Sequence, residues 1–173
     1  MDVFRAYSLP ILGLKPGAHH FEYALDRSFF ELFPDAPIAD SQIHVALDLD
    51  KRPDMMILDF DVTGSFRTAC DRCTADIDLP LARRERLVVK YGLQEDSADD
   101  EVVFIARDTS LFNVAPYLYE YAVLALPMVN IFDCESLKPT PCNQTVLDKL
   151  RRQEEQTGEG DGVWDALKDI QPT

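Results

Sequence analysis

The stretch QIHVALDLDKRPDMMILDFDV, Gln42 to Val62, decides the fold class. Ile43, Val45, Leu47 and Leu49 alternate with His44, Asp48 and Asp50, so one face of an extended segment is apolar and the other charged. Lys51-Arg52-Pro53-Asp54 supplies turn chemistry. Met56, Leu58, Phe60, Val62 and Phe66 then form a second apolar face against Asp59, Asp61, Thr63 and Arg67. Two half-buried strands joined by a tight connection are the expectation, paired antiparallel.

The same period continues downstream. Ile77, Leu79 and Leu81 alternate with Asp76 and Asp78, and Leu87, Val89 and Tyr91 keep that parity, which predicts a long third strand bent or bulged near Pro80. Upstream, Val3 to Leu9 and Phe21 to Leu25 flank Leu14-Lys15-Pro16-Gly17 and read as an opening hairpin. Between these blocks, Asp26 and Ser28 precede Phe29, Phe30, Leu32 and Phe33, the pattern of a short capped helix that Pro34 stops. Glu101 to Ala106 suits a short strand. Asn113 to Leu126 sets Leu118, Tyr121, Ala122 and Ala125 at helical spacing, with Asn113 as cap and Pro116 in the first turn.

Composition bounds the rest. The chain has 173 residues, 46% of them hydrophobic, enough for one real core with an appended tail. The division expected is an α+β core over 1–132 and a cysteine-containing loop with a helical tail over 133–173. That tail holds a polar helix from Gln144 to Gln156, a Gly and acid linker, and a short helix from Val163 to Ile170, where Trp164, Leu167 and Ile170 fall on one face for docking. No apolar run is long enough to span a bilayer, and Met1 opens into MDVFRAYSLP rather than a charged leader, so a cytoplasmic protein without membrane contact is expected.

The formal net charge is −14, with 31 acidic and 17 basic residues, and such a surface repels polyanions at long range. The run QEDSADDE, Gln94 to Glu101, reads as a solvated loop. Arg83, Arg84 and Arg86, with Arg67, Arg72 and Lys90 near them in sequence, are the one basic cluster. They either face RNA phosphates as a local patch or pair with the many carboxylates.

Four cysteines in a reducing compartment are not a disulfide framework. Cys70-Asp-Arg-Cys73 sits between two strand-like segments, where a tight turn lets two thiolates converge on a tetrahedral ion. Cys134 and Cys142 would complete a zinc site if their loop folded back, and His19, His20 and Asp133 are substitute ligands. Reduced, partly buried thiols are the competing reading, and the spacing leaves both open. A redox pair fits less well, because its first cysteine belongs at a helix N-terminus and both flanks here alternate as strands. The chain has no Gly-rich phosphate loop, HExxH or GxSxG motif, and Asp59 with Asp61 reads as solvent-facing alternation rather than an acid pair.

In their order these features resemble a known family. VTGSFRTACDRCTADIDLPL, Val62 to Leu81, is similar to the signature of the YceD family of large ribosomal RNA subunit accumulation proteins, with Cys70, Arg72 and Cys73 matching residue by residue. The helix with Glu120 that ends LALPM, Leu124 to Met128, and the terminal WDALKDI, Trp164 to Ile170, also look like that family. Many members carry a richer cysteine cluster after this helix, where this chain has Cys134 and Cys142.

The resemblance implies a non-enzymatic accessory factor in large-subunit rRNA synthesis, processing or stability. Its partners would be a ribosomal protein, a nuclease or a pre-ribosomal particle, with rRNA reached indirectly or through the arginines. Two other classes stand beside this reading: a zinc-stapled scaffold for a basic protein, and an RNA-processing enzyme using zinc or carboxylates. The expected architecture is a bent antiparallel sheet or partial barrel, packed by one long helix, with an extended C-terminal tail.

Overall fold

The computed structural model describes residues 4–38, 40–92, 102–134 and 138–157. In chain order the elements are β1 (Ser8–Leu9), β2 (Gly17–Leu25), α1 (Arg27–Phe30), β3 (Ser41–Lys51), β4 (Met55–Ala69), β5 (Asp76–Tyr91), β6 (Val102–Ile105), β7 (Phe112–Asn113), α2 (Ala115–Leu124) and α3 (Gln144–Thr157). The fold is α+β, and it divides into two compact units: residues 1–68 with 78–128, and residues 69–77 with 129–173. The predicted docking helix with Trp164, Leu167 and Ile170, and the acidic run from Gln94, lie outside the described residues.

The first unit is built on a five-stranded sheet in the order β2-β3-β4-β5-β6. Strands β3 and β4 pair antiparallel from Ser41↔Phe66 to Lys51↔Met56, the hairpin that the alternation predicts. Their inward residues Val45, Leu47, Leu58, Phe60 and Val62 are at most 1% exposed, whereas Asp48, Asp59 and Asp61 stand on the outer face. Gly64 makes this pairing possible at its far end. Its φ is +152°, and a β-carbon there would lie 2.2 Å from the Gln42 carbonyl oxygen.

Two expectations are corrected. The opening hairpin does not form: β1 pairs with β7, Leu9 opposite Phe112, while β2 runs antiparallel along the full length of β3 from Gly17↔Lys51 to Leu25↔Ile43. Period-two alternation marks a strand without marking its neighbour, and the long odd-numbered face of β2 matches β3 far better than a two-residue strand. The sheet is mixed rather than antiparallel, because β6 joins β5 in parallel from Val88↔Val102 to Tyr91↔Ile105. The sheet stays open, in keeping with the expected bent sheet or partial barrel; its order ends at β2 and at β6.

Pro80 lies inside β5 on an exposed position, and β6 begins pairing only at Val88, so no β6 partner is denied a donor at Pro80. Helix α2 packs on the inner face of the sheet, with Ala115, Leu118, Tyr121 and Ala122 buried and Tyr121 edge-on to Phe60 at 5.0 Å between ring centres. The Asn113 side-chain oxygen accepts from the Ala115 N–H at 2.9 Å, and Pro116 occupies the first turn where its missing N–H costs nothing. Helix α1 is capped by Asp26, whose carboxylate accepts from the Phe29 N–H at 3.2 Å. Phe29 and Phe30 are buried behind that cap, and Phe33 stacks on Tyr119 at 4.2 Å.

The second unit comprises the Cys70–Cys73 turn, the segment that follows Met128, and α3. Helix α3 is the predicted polar helix, with Leu147 buried at 9% exposure and Leu150 at 40%.

Candidate functional site

All four cysteines fall in this second unit. The turn that carries the first two is tight. Cys70 N–H donates to the Ala75 carbonyl at 2.8 Å, and Thr74 N–H donates back to the Cys70 carbonyl at 2.8 Å. Thr74 has φ +57°, the left-handed conformation that reverses the chain here and that a β-branched residue rarely adopts. The reversal turns both thiols inward: Cys70 is 2% exposed and Cys73 1%.

The segment after Met128 is bound to this turn by two hydrogen bonds. Asp71 N–H donates to the Asn130 carbonyl at 2.9 Å, and Asn130 N–H donates to Asp71 Oδ2 at 2.7 Å. Cys134 follows, buried at 7% exposure, and Cys142 lies half-buried further on. The Cys142 thiol is held above its ordinary range, first by its hydrogen bond with Cys134 and then by loss of solvent, while a bond with Cys73 works the other way. Cys134 and Cys142 thus share one compact unit with the Cys70–Cys73 turn. Among the described residues, no group of three or more His, Cys, Asp or Glu side chains is placed so that it could hold a metal ion.

The substitute ligands have other duties or places. His19 bonds the Lys15 carbonyl at 2.8 Å, and His20 bonds Asp48 at 2.7 Å on the outer face of the sheet. Asp133 precedes Cys134 and is itself engaged.

Arg83, Arg84 and Arg86 do not share one face of β5. Arg84 and Arg86 share the outer face of β5 and each holds a carboxylate of β4: Arg84 Nε donates to Asp61 at 2.9 Å, and Arg86 donates twice to Asp59, at 2.6 and 3.1 Å. These pairs run in opposite order along β4 and β5, as antiparallel neighbours require. Arg83 points to the opposite face. It bonds Glu85 and also donates to the Leu124 carbonyl at 3.2 Å, placing a cation at the C-terminal end of α2 where the unsatisfied carbonyls and the helix dipole favour one. Arg67 lines a polar groove with Arg27, Glu31, Asp40 and Asp78. Arg72 is exposed in the cysteine turn of the second unit.

Sequence reading missed two of these relationships. The Asp71–Asn130 tie spans 59 positions and carries no periodic signal. The Arg83 contact with α2 is hidden because Arg83, Arg84 and Arg86 look alike as a run, although strand parity already separates the first from the other two.

Residues 58–171 match the family model described as large ribosomal RNA subunit accumulation protein YceD. The chain belongs to the YceD family. Comparison with curated proteins and with solved structures finds no match. The YceD match begins within β4 and takes in the cysteine turn, β5, α2 and all four cysteines, so the features that raised the resemblance lie inside it. Strands β2 and β3 precede it. The YceD name describes an accumulation role for the RNA of the large ribosomal subunit and names no enzymatic activity. No described helix is long and apolar enough to cross a membrane.

Proposed function

We propose that this chain is a non-catalytic accessory factor for large-subunit ribosomal RNA that works chiefly through a basic protein partner. The observation that carries the protein-mediated reading is the state of its basic residues. Arg84 and Arg86 are both engaged by Asp61 and Asp59 on the outer face of the sheet, so a phosphate would have to compete with carboxylates already in place. The chain as a whole carries a charge of −14, which favours encounter with a basic ribosomal protein, or a ribosome-associated nuclease, over naked RNA.

In the same reading the second unit is a structural staple. The reading rests on thiol chemistry and on four thiols sharing one compact unit, three of them buried; as placed they do not form a ligand set, so zinc would have to draw them together. Cys70, Cys73, Cys134 and Cys142 would hold the ion, which would stabilise the fold of the unit and perform no chemistry.

The test is affinity capture of the full chain from a lysate at low and high salt, with the bound proteins and RNA identified, beside metal analysis of the purified protein. Ribosomal proteins or precursor particles retained at low salt and released at high salt support the proposal. No ribosomal protein, rRNA or particle at any salt overturns it, as does turnover of precursor RNA by the purified chain alone. Zinc at one equivalent, lost with Cys70→Ser, supports the staple; zinc-free protein whose thermal stability is unchanged by that substitution rejects it.

A further inference from the structure

Strand β2 is the long outer edge of the five-stranded sheet, and among the described residues no backbone group pairs with its free side. An edge of this length is usually protected by lysine, proline, a bulge or a covering segment. From Gly17 to Leu25, GAHHFEYAL, there is neither a lysine nor a proline, the one carboxylate is Glu22, and the pairing with β3 runs through nine residues without a bulge. The other edge, β6, has only four residues.

Faces and charge restrict what this edge accepts. His19, Phe21 and Tyr23 turn inward, while Ala18, His20, Glu22 and Ala24 are exposed. If a second copy of the strand adds antiparallel and the two inner faces stay on one side, residues opposite one another must share parity. The sum of paired residue numbers is then even. Centring the pair on His20 sets the two His20 side chains against each other, and centring it on Glu22 opposes two carboxylates. Centring it on Phe21 is different: His20 faces Glu22 of the second copy on both sides of the axis, His19 faces Tyr23, Ala18 faces Ala24, and all nine residues overlap.

We propose that two copies of this chain associate through β2 in that register, forming a continuous sheet with Phe21 opposite Phe21. The nine pairs supply about eight to ten main-chain hydrogen bonds, and the two His20–Glu22 pairs select this register over its neighbours. The His20 and Glu22 side chains are 53% and 65% exposed; within one chain His20 lies 3.5 Å from Glu22 and bonds Asp48 at 2.7 Å, and the pairs across the axis would have to share or exchange these contacts. The edge lies outside the part of the chain that matches the family model, so the inference is independent of the proposed rRNA role.

Sedimentation velocity of the full chain across a hundredfold concentration range tests it, with His20→Glu, Glu22→Lys and the double variant alongside and circular dichroism to confirm folding. The expected result is a reversible dimer that each single change weakens at least tenfold, by opposing like charges twice, and that the double variant restores by reversing both pairs. A monomer throughout the range overturns the proposal. So does a dimer indifferent to the single changes, or one that the double variant fails to restore; a dimer indifferent to all three places the contact elsewhere on the chain.

Discussion

Asp71 and Asn130 hold each other through two hydrogen bonds, at 2.9 Å from the Asp71 N–H to the Asn130 carbonyl and at 2.7 Å from the Asn130 N–H to the Asp71 carboxylate. The residue inside the Cys70–Cys73 turn is thereby fastened to the segment that leads to Cys134. Two cysteines distant in sequence from the turn are drawn toward it by a contact that is not itself made by sulfur.

Asp71→Ala removes the acceptor of the Asn130 N–H but leaves the reverse bond. The expected loss is about 1 kcal/mol of stability in a denaturant titration, the scale of one hydrogen bond to a partly solvated carboxylate. Asp71→Asn retains an oxygen acceptor and should lose less than half as much. Equal losses from the two variants would mean that the carboxylate acts by charge rather than by accepting this bond.

At Gly64 the β3–β4 pairing leaves no room for a side chain. Gly64→Ala puts a methyl 2.2 Å from the Gln42 carbonyl oxygen and 2.7 Å from the Ile43 α-carbon, both main-chain atoms, at a φ that L-residues avoid. A loss of about 3 kcal/mol or more is expected, read as a lower denaturation midpoint or as insoluble protein. Stability within about 0.5 kcal/mol of the parent would show that the two strands separate here at little cost.

Phe60 joins the sheet to α2 through Tyr121, with ring centres 5.0 Å apart. Phe60→Ala should cost about 3–5 kcal/mol, because the residue is 1% exposed and its cavity lies beneath the helix. Tyr121→Phe keeps the ring and should cost under about 1 kcal/mol. A Phe60→Ala loss below that of Tyr121→Phe would contradict the packing described.

His20 supplies a pH dependence whose sign is fixed. Its hydrogen bond to Asp48, followed by that to Glu22, holds its pKa above the ordinary 6.5. A group whose folded pKa is raised gives its full contribution below the unfolded value and loses it as pH rises through the folded value. In NMR titration the His20 imidazole should therefore titrate above 6.5, and Asp48→Asn should bring it down. Both residues are well exposed, so high salt should shrink the shift. A His20 pKa at or below the ordinary value, or one unmoved by Asp48→Asn, would contradict the assignment.

The central hairpin was legible because each of its strands buries one face only. Ile43 through Leu49 and Met56 through Val62 write the inner surface of the sheet into alternate letters. The helix after Asn113 was equally plain, since Pro116 in its first turn and its apolar spacing agree, although Val114 holds the capping position and Asn113 bonds the Ala115 N–H from one residue further out. Alternation carries neither direction nor partner, so it could not reveal that β6 runs parallel to β5 or that β1 joins β7. The cysteine turn was readable as a turn between strands. That the segment after α2 returns to it was not, because this rests on Asp71 and Asn130, two polar residues with no pattern linking them.

In the proposed function the chain sustains the RNA of the large ribosomal subunit. The most direct test is the ratio of large- to small-subunit rRNA in cells that normally express the chain, measured with it depleted and then restored. The expected ratio falls on depletion and recovers with the intact chain. A ratio unchanged by depletion, with the protein verifiably gone, would contradict it.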